Sequence, residues 1–575
     1  MHVIRKFRFP ALLCSLAVLL CEFVARPYVN MSLCDDGPYI LMARMLAVTG
    51  HIFYNGFATA MLGWQLYLGA AFIKLFGFSF TSVRMSTLFI AVIMAFFLQR
   101  TLVRSGITER NATIGTLALV LSPLYLMLSV TFMSDITGLF AIVLCLYGCL
   151  RSLQATTNSS TIAWICFAVA TNTLCGTARQ IAWLGVLVMV PSTLWLLRAR
   201  HRVLIPGAAA TIAGAIFVFS CMQWLKHQPY SIPEHILPHT FPVAGTLWTL
   251  AHLFLEIPFL LLPILGLFLP RICRRPRVVT IVSVLLLGYL FLGIYPSHLR
   301  GEFLLEPTAN DWVSTRGAYL FVALHGIPPV FLHKWLQVLL TIASLGGTLG
   351  LVVSLDRSST TPPLASSSPP AISWKQLGWL LAPFTIAYSL LLVPRATTLI
   401  LSDRYLLGLL VVALLCLVRY YQDRVQRQLP FVSILLVGIM AIYGVTVTHN
   451  TFEFYRARVA LAAELLAAGV PDTSVDGGWE YNFWVELQYA NHINDPMIVT
   501  PAAAYVPTRP LPTGTCPTYM YDRTPHIHPL YGISFDPNAC YGSAPFAPVN
   551  YSRWLASGPG TLYVVYYTPS LKPRG

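Results

Sequence analysis

Apolar residues in this chain arrive in runs of roughly 16 to 25, each able to cross the ~30 Å hydrocarbon layer of a bilayer as a helix. They are not arranged as the amphipathic stripes that pack a soluble helix onto a core. With 56% of its 575 residues apolar, 10% charged and a mean hydropathy of +0.67, the chain cannot keep its surface in water. A soluble globular domain, a disordered chain and a coiled coil are thereby excluded, and an all-α polytopic membrane protein is expected.

About fourteen apolar windows can be drawn between 9–26 and 430–448. Positive residues fall in alternate connections: Arg100, Arg104 and Arg110; Arg198, Arg200 and Arg202; Arg271, Arg274, Arg275 and Arg277; Arg419, Arg424 and Arg427. Such residues are retained on the cytoplasmic side, so these connections are expected there together with the N-terminal Arg5, Lys6 and Arg8. The formal charge of +15 thus reports topology, and no nucleic-acid partner is expected.

Three windows separate the N-terminus from the Arg100 to Arg110 connection, yet two cytoplasmic segments require an even number of crossings. The window 57–77 follows a polar loop and runs almost directly into the next window, so it is read as a helix lying on the outer membrane face. About 13 transmembrane helices then remain, in a domain over 1–448 whose first external loop is 27–80. A Ser/Pro-rich cytoplasmic linker occupies 356–373. The tail, 449–575, is external and long enough for a small α/β domain. Within it RARVALAAELLAAGV reads as helix, while SVDGGWEYNFWVEL and TLYVVYY read as strands. Cys516 and Cys540 are able to pair there in an oxidising compartment, with two separate thiols as the alternative.

The first external loop carries Cys34-Asp35-Asp36-Gly37-Pro38-Tyr39 at the start of an amphipathic stretch. Helix capping accounts for one aspartate more readily than for two neighbours. Asp135, in TFMSDITGL, lies by the same topology at the outer end of a span, so the three acids can meet on one membrane face. Cations on that face are Arg179 beside Gln180, Lys226, Arg300, Arg316, Arg395, and Arg404 before Tyr405. Acids beside arginines suit a phosphate-bearing lipid and a hydroxyl nucleophile; arginines that only snorkel to headgroups are the bland alternative.

Four stretches in order, DDGPYILMARMLAVTG, GWQLYLGAAFIKLFGFSFTSVRMSTL, MSDITGLFAIVL and SDRYLLGLL, resemble the GT-C glycosyltransferases, in the branch that holds protein O-mannosyltransferases and aminoarabinose transferases. The resemblance covers roughly residues 1 to 200 and 400 to 420. It implies transfer of a sugar from a polyprenyl-phosphate donor to an external acceptor, in an inner or plasma membrane with the tail periplasmic or extracellular. Carried over by position, Asp35 is the general base on the acceptor hydroxyl, and Asp36 and Asp135 shape its surroundings. Arg404 and Arg179, with Tyr405 and Lys226, bind the donor phosphate. Where the aminoarabinose transferases carry Glu-Lys-Pro, this chain has Asn55-Gly56-Phe57-Ala58-Thr59, so no metal is claimed and a divalent ion stays open. Two other functions fit the same outline: a lipid or saccharide transporter, which would place ionisable groups such as Glu22 and Glu256 at mid-membrane, and a polysaccharide polymerase or ligase built on His235, His239 and Arg300.

Overall fold

The computed structural model describes residues 2–57, 61–232, 243–274, positions 277, 280, 281, 283 and 284, and then 312–318, 324–355, 372–398 and 402–569. Most of the window at 278–296 and most of the 356–373 linker, together with His235, His239 and Arg300, lie outside the described residues, as does the side chain of Arg395. The described residues include 8 helices long and apolar enough to cross a membrane, or 9 if one bent pair counts as a span, with three shorter apolar helices beside them. The chain is an integral membrane protein, helical through the bilayer, with a small sheet near its C-terminus.

The first half is built from α1 (His2–Ala25), α2 (Asp36–Thr49), α3 (Gly63–Phe76), α4 (Phe80–Arg104), α5 (Glu109–Val120), α6 (Pro123–Ser129), α7 (Ser134–Gln154) and α8 (Asn158–Cys175). Only α3 comes from the window 57–77, and its 14 residues rise about 21 Å, short of a bilayer crossing. Trp64 Nε1 donates to Cys175 O at 2.7 Å, and Gln65 Nε2 to Met133 O at 3.2 Å, so α3 lies across the ends of α7 and α8. A capping box of Ser79 and Ser82 then opens α4. The window 112–131 is not one straight helix. Pro123 cannot continue the hydrogen-bond ladder, Ser122 caps a new helix, and α5 and α6 meet at 69°.

At the end of the bundle away from the tail, the connections are tied by arginines that donate to main chain. Arg419 reaches Ser105 O and Ile372 O, and Arg200 reaches Ala155 O at 3.0 Å.

One helix of 37 residues, Phe431–Ala467, leaves the bundle and enters the tail without a break across 448/449. Its far end is fixed by Arg458, fully buried, which pairs with buried Glu480 at 3.0 Å and donates to Gly477 O at 3.1 Å. Strands β1 (Val475–Asp476), β2 (Tyr531–Ser534), β3 (Val549–Tyr551) and β4 (Gly560–Tyr566) form a sheet of order β1-β2-β4-β3, parallel at β1/β2 and antiparallel elsewhere. The TLYVVYY strand is present as β4. SVDGGWEYNFWVEL differs from its strand reading: two residues extend as β1, and Trp479–Ala490 is helix. Gly478, at φ 89, turns the chain out of β1, and Trp479, Phe483 and Leu487 then recur at helical spacing on the buried face. Cys516 and Cys540 form a disulfide.

Candidate active site

Asp35 and Asp36 sit side by side where α2 begins, and the fold treats them in opposite ways. Asp36 is fully buried and bound to fully buried Arg84 of α4, with Nε to Oδ2 at 2.7 Å and Nη2 to Oδ1 at 3.0 Å. Its oxygens also accept from the Leu33 N–H at 2.7 Å and the Phe132 N–H at 3.3 Å. Arg84 in turn donates to Val29 O and Met31 O at 3.1 and 2.6 Å. Both groups of this pair are thus compensated by hydrogen bonds, which a desolvated ion pair requires. They lock the 29–36 loop, the entry to α7 and the start of α4 together.

Asp35 makes no side-chain cap on α2. Its Oδ2 instead faces Arg404 Nη2 at 3.2 Å, in a pair that keeps 21% and 14% of its side-chain surface. Arg404 Nη1 lies 3.8 Å from Asp135 Oδ2, and Asp135 Oδ1 pairs with Arg179. A continuous array Asp35, Arg404, Asp135, Arg179 therefore joins the starts of α2 and α7, the segment after α8, and the start of the helix Leu407–Arg424. Tyr405 lies beneath both guanidiniums, 4.9 Å from that of Arg179 and 5.4 Å from that of Arg404.

Two atoms of the array have unused bonding capacity. Among the described residues buried Asp135 Oδ2, 3.8 Å from Arg404 Nη1, accepts no hydrogen bond, and buried Arg404 Nε donates none. A buried acceptor and a buried donor without hydrogen bonds are costly. The accessible part of the array, Asp35 with Arg404 and Arg179, presents a carboxylate beside two guanidiniums, groups able to meet a hydroxyl and an anionic oxygen. Tyr39, one turn into α2, is buried near enough to Asp35, Arg404 and Asp135 to feel their charges. Burial pushes its phenol well above the ordinary tyrosine value, and the Asp35 charge adds to that push.

Lys226 is exposed at the end of the helix His201–Lys226 and is not drawn into the array. Asn55 donates to Pro38 O at 2.8 Å and braces the first turn of α2. The acids do not form a cation cradle: Arg404 occupies the space between Asp35 and Asp135. Among the described residues the one grouping of ligand-type atoms is His325 against Cys516 and Cys540, and those two sulfurs are joined in the disulfide.

Several supporting residues were not anticipated. Arg84 carried a signal, as the one charge inside the apolar run of α4. Gly138 carried little, yet a Cβ there would fall 2.8 Å from Arg179 Cδ, so only glycine lets that side chain cross α7 to reach Asp135. Gln65 binds Thr137 Oγ1 at 2.7 Å, and Trp312 places its ring 5.9 Å from the Arg404 guanidinium. Val313 N–H donates to Asp403 at 2.7 Å and holds the turn before Arg404.

No protein-family model matches the chain, and no curated protein matches it. Among solved structures it is similar to ArnT from Cupriavidus metallidurans in the apo state, at 16% identity over 70% of this chain and 75% of that one, with a TM-score of 0.32. It is similar to the archaeal oligosaccharyltransferase AglB from Archaeoglobus fulgidus, at 14% identity over 89% of this chain and 63% of that one, with a TM-score of 0.40. It is also similar to the arabinosyltransferase EmbB from Mycobacterium smegmatis, at 13% identity over 79% and 42%, with a TM-score of 0.32. These likenesses are loose, and no residue's role rests on them.

Proposed function

We propose that this chain is a membrane glycosyltransferase that moves a sugar from a polyprenyl-phosphate donor to an acceptor hydroxyl on the external face of the membrane. The observation that carries the reading is the array Asp35, Arg404, Asp135, Arg179, partly open and set where spans end on the tail side. In this reading the N-terminus is cytoplasmic and the tail periplasmic or extracellular.

The acceptor oxygen attacks the anomeric carbon as its proton passes to Asp35. The bond from that carbon to the phosphate oxygen breaks, and the sugar inverts. The departing phosphate gains negative charge and needs cations rather than an acid, which Arg404 and Arg179 supply in a site with little water. Asp135, fully buried, holds the two arginines in place. Asp36, bound on both oxygens, is a positioning residue in this scheme. The acceptor class is left open between lipid, glycan and protein.

Purified protein incubated with a panel of polyprenyl-phosphate sugars and a competent membrane extract tests the reading. Transfer from one donor, with polyprenyl phosphate released and the reaction reduced at least about 100-fold by Arg404→Gln, is the expected result. Turnover of no donor would turn the reading toward a transporter.

A further inference from the structure

The tail segment 496–508, PMIVTPAAAYVPT, carries no charge, and Arg509 is the only charged residue between Asp495 and Asp522. Ile498 and Ala504 turn inward and pack with Ile232. Met497, Val499 and Val506 stay on the surface, Val499 with 77% of its area exposed. Asp495, the acid at the start of the segment, is buried and paired with Arg523, so it adds no negative charge to this surface.

This segment lies where a span ends. Tyr230 N–H donates to Thr500 O at 2.6 Å, and the Tyr230 carbonyl accepts from the Gly56 N–H at 2.9 Å. Tyr230 follows the last residue of the helix His201–Lys226 by four positions, and turns from His227 N–H to Trp224 O and from Gln228 N–H to Leu225 O hold that connection against the helix end. The helix exposes Ile205, Ile212, Ile216 and Phe219, as a lipid-facing surface must. It closes with exposed Trp224, whose ring lies 6.1 Å from that of Tyr54, and aromatic groups of this kind at the end of a span mark headgroup depth. Lys226 and His227 are exposed directly after it, and Arg509 is exposed where the uncharged segment stops.

We infer that the segment 496–506 seats the tail on the bilayer, with Met497, Val499 and Val506 entering the boundary between headgroups and acyl chains beside the end of the helix His201–Lys226. The surface is continuous with one that already faces lipid, and the charges that flank it, Lys226 and Arg509, are positive, as a surface carrying lipid phosphates favours. The seat also bears on the position of the tail over α2. Just before the segment, Ile493 N–H donates to Asn55 O at 2.8 Å, and Asn55 in turn holds Pro38 O. The inference rests on the chain being an integral membrane protein and does not depend on glycosyl transfer.

Photo-crosslinking of the full-length protein in nanodiscs of phosphatidylethanolamine and phosphatidylglycerol tests it, with p-benzoylphenylalanine placed in turn at Val499, Ile212 and Leu466 and folded protein selected by size-exclusion chromatography. Ile212 is the lipid-facing reference. Leu466 is the reference for an apolar side chain in water: it is 63% exposed, but it stands about 52 Å along the helix that begins at Phe431, beyond a hydrocarbon layer of ~30 Å. The phospholipid adduct at Val499 is expected within about threefold of that at Ile212 and at least about tenfold above that at Leu466. Adding Val506→Glu to the protein labelled at Val499 puts a carboxylate on an exposed position and leaves the Ile498, Ala504 and Ile232 packing alone, and it is expected to lower the adduct several-fold. An adduct at Val499 no greater than that at Leu466, with Ile212 labelled, overturns the inference. So does a crosslink from Val499 to a second copy of the chain in place of lipid, because another protein then covers the segment.

Discussion

Two arginine–aspartate sites begin on neighbouring residues and end in different physical states. At Asp36 and Arg84 both side chains are fully buried, and main-chain groups complete the pair. At the second site Asp35, Arg179 and Arg404 are partly accessible around a buried Asp135, and among the described residues one oxygen of Asp135 and the Arg404 Nε–H make no hydrogen bond. The first arrangement is complete and the second is not. Burial with full satisfaction stabilises a fold, whereas partial satisfaction persists where a ligand supplies the rest.

The largest effect should come from the sealed pair. Arg84→Met leaves Asp36 charged, buried and unpaired, and is expected to destabilise the protein by about 3–5 kcal/mol, read from the denaturation midpoint in detergent. An equal loss on Arg404→Met would erase the distinction between the sites.

A smaller effect is expected where the tail supports α2. Phe57 lies 6.0 Å from Tyr39, 5.7 Å from Phe483 and 6.5 Å from Trp479, and so links the tail helix to the start of α2. Phe57→Leu is expected to reduce stability by about 1–2 kcal/mol and to lower transfer a few-fold with donor binding intact. If transfer does not change, the tail has no part in positioning Asp35.

The smallest effect concerns pH. A phenol held neutral in the fold contributes stability that is complete below its ordinary value near 10 and is lost as pH rises past it, because the unfolded chain then releases the proton first. Melting curves of wild type should therefore fall more steeply above pH 10 than those of Tyr39→Phe, and the two should coincide in slope at neutral pH. Identical slopes throughout would mean that Tyr39 is solvated like an ordinary tyrosine.

Much of the array was legible because polar groups at the ends of apolar runs are conspicuous: Asp35, Asp135, Arg179 and Arg404 all stand where hydropathy falls abruptly. Their placement on one face followed from reading 57–77 as a surface helix, but the pairing itself was not legible, since it depends on Gly138 making room for Arg179. The separate fates of Asp35 and Asp36 were equally hidden, because they follow from the directions of two side chains on one helical turn. Hydropathy ended the last span near 448, while Phe431–Ala467 continues into the tail on ordinary helix-forming residues. In SVDGGWEYNFWVEL, aromatic and β-branched residues suggested a strand, and burial of one helical face prevailed.

The central claim is that the open aspartate reacts and the sealed one supports. The direct measurement is single-turnover sugar transfer per folded molecule for Asp35→Asn and Asp36→Asn side by side, with folded protein counted by size-exclusion chromatography. Asp35→Asn is predicted to fold as wild type and lose about 10³-fold in transfer, while Asp36→Asn is predicted to lose folded protein and to retain most of the transfer per molecule that does fold. Wild-type transfer by Asp35→Asn would contradict the account.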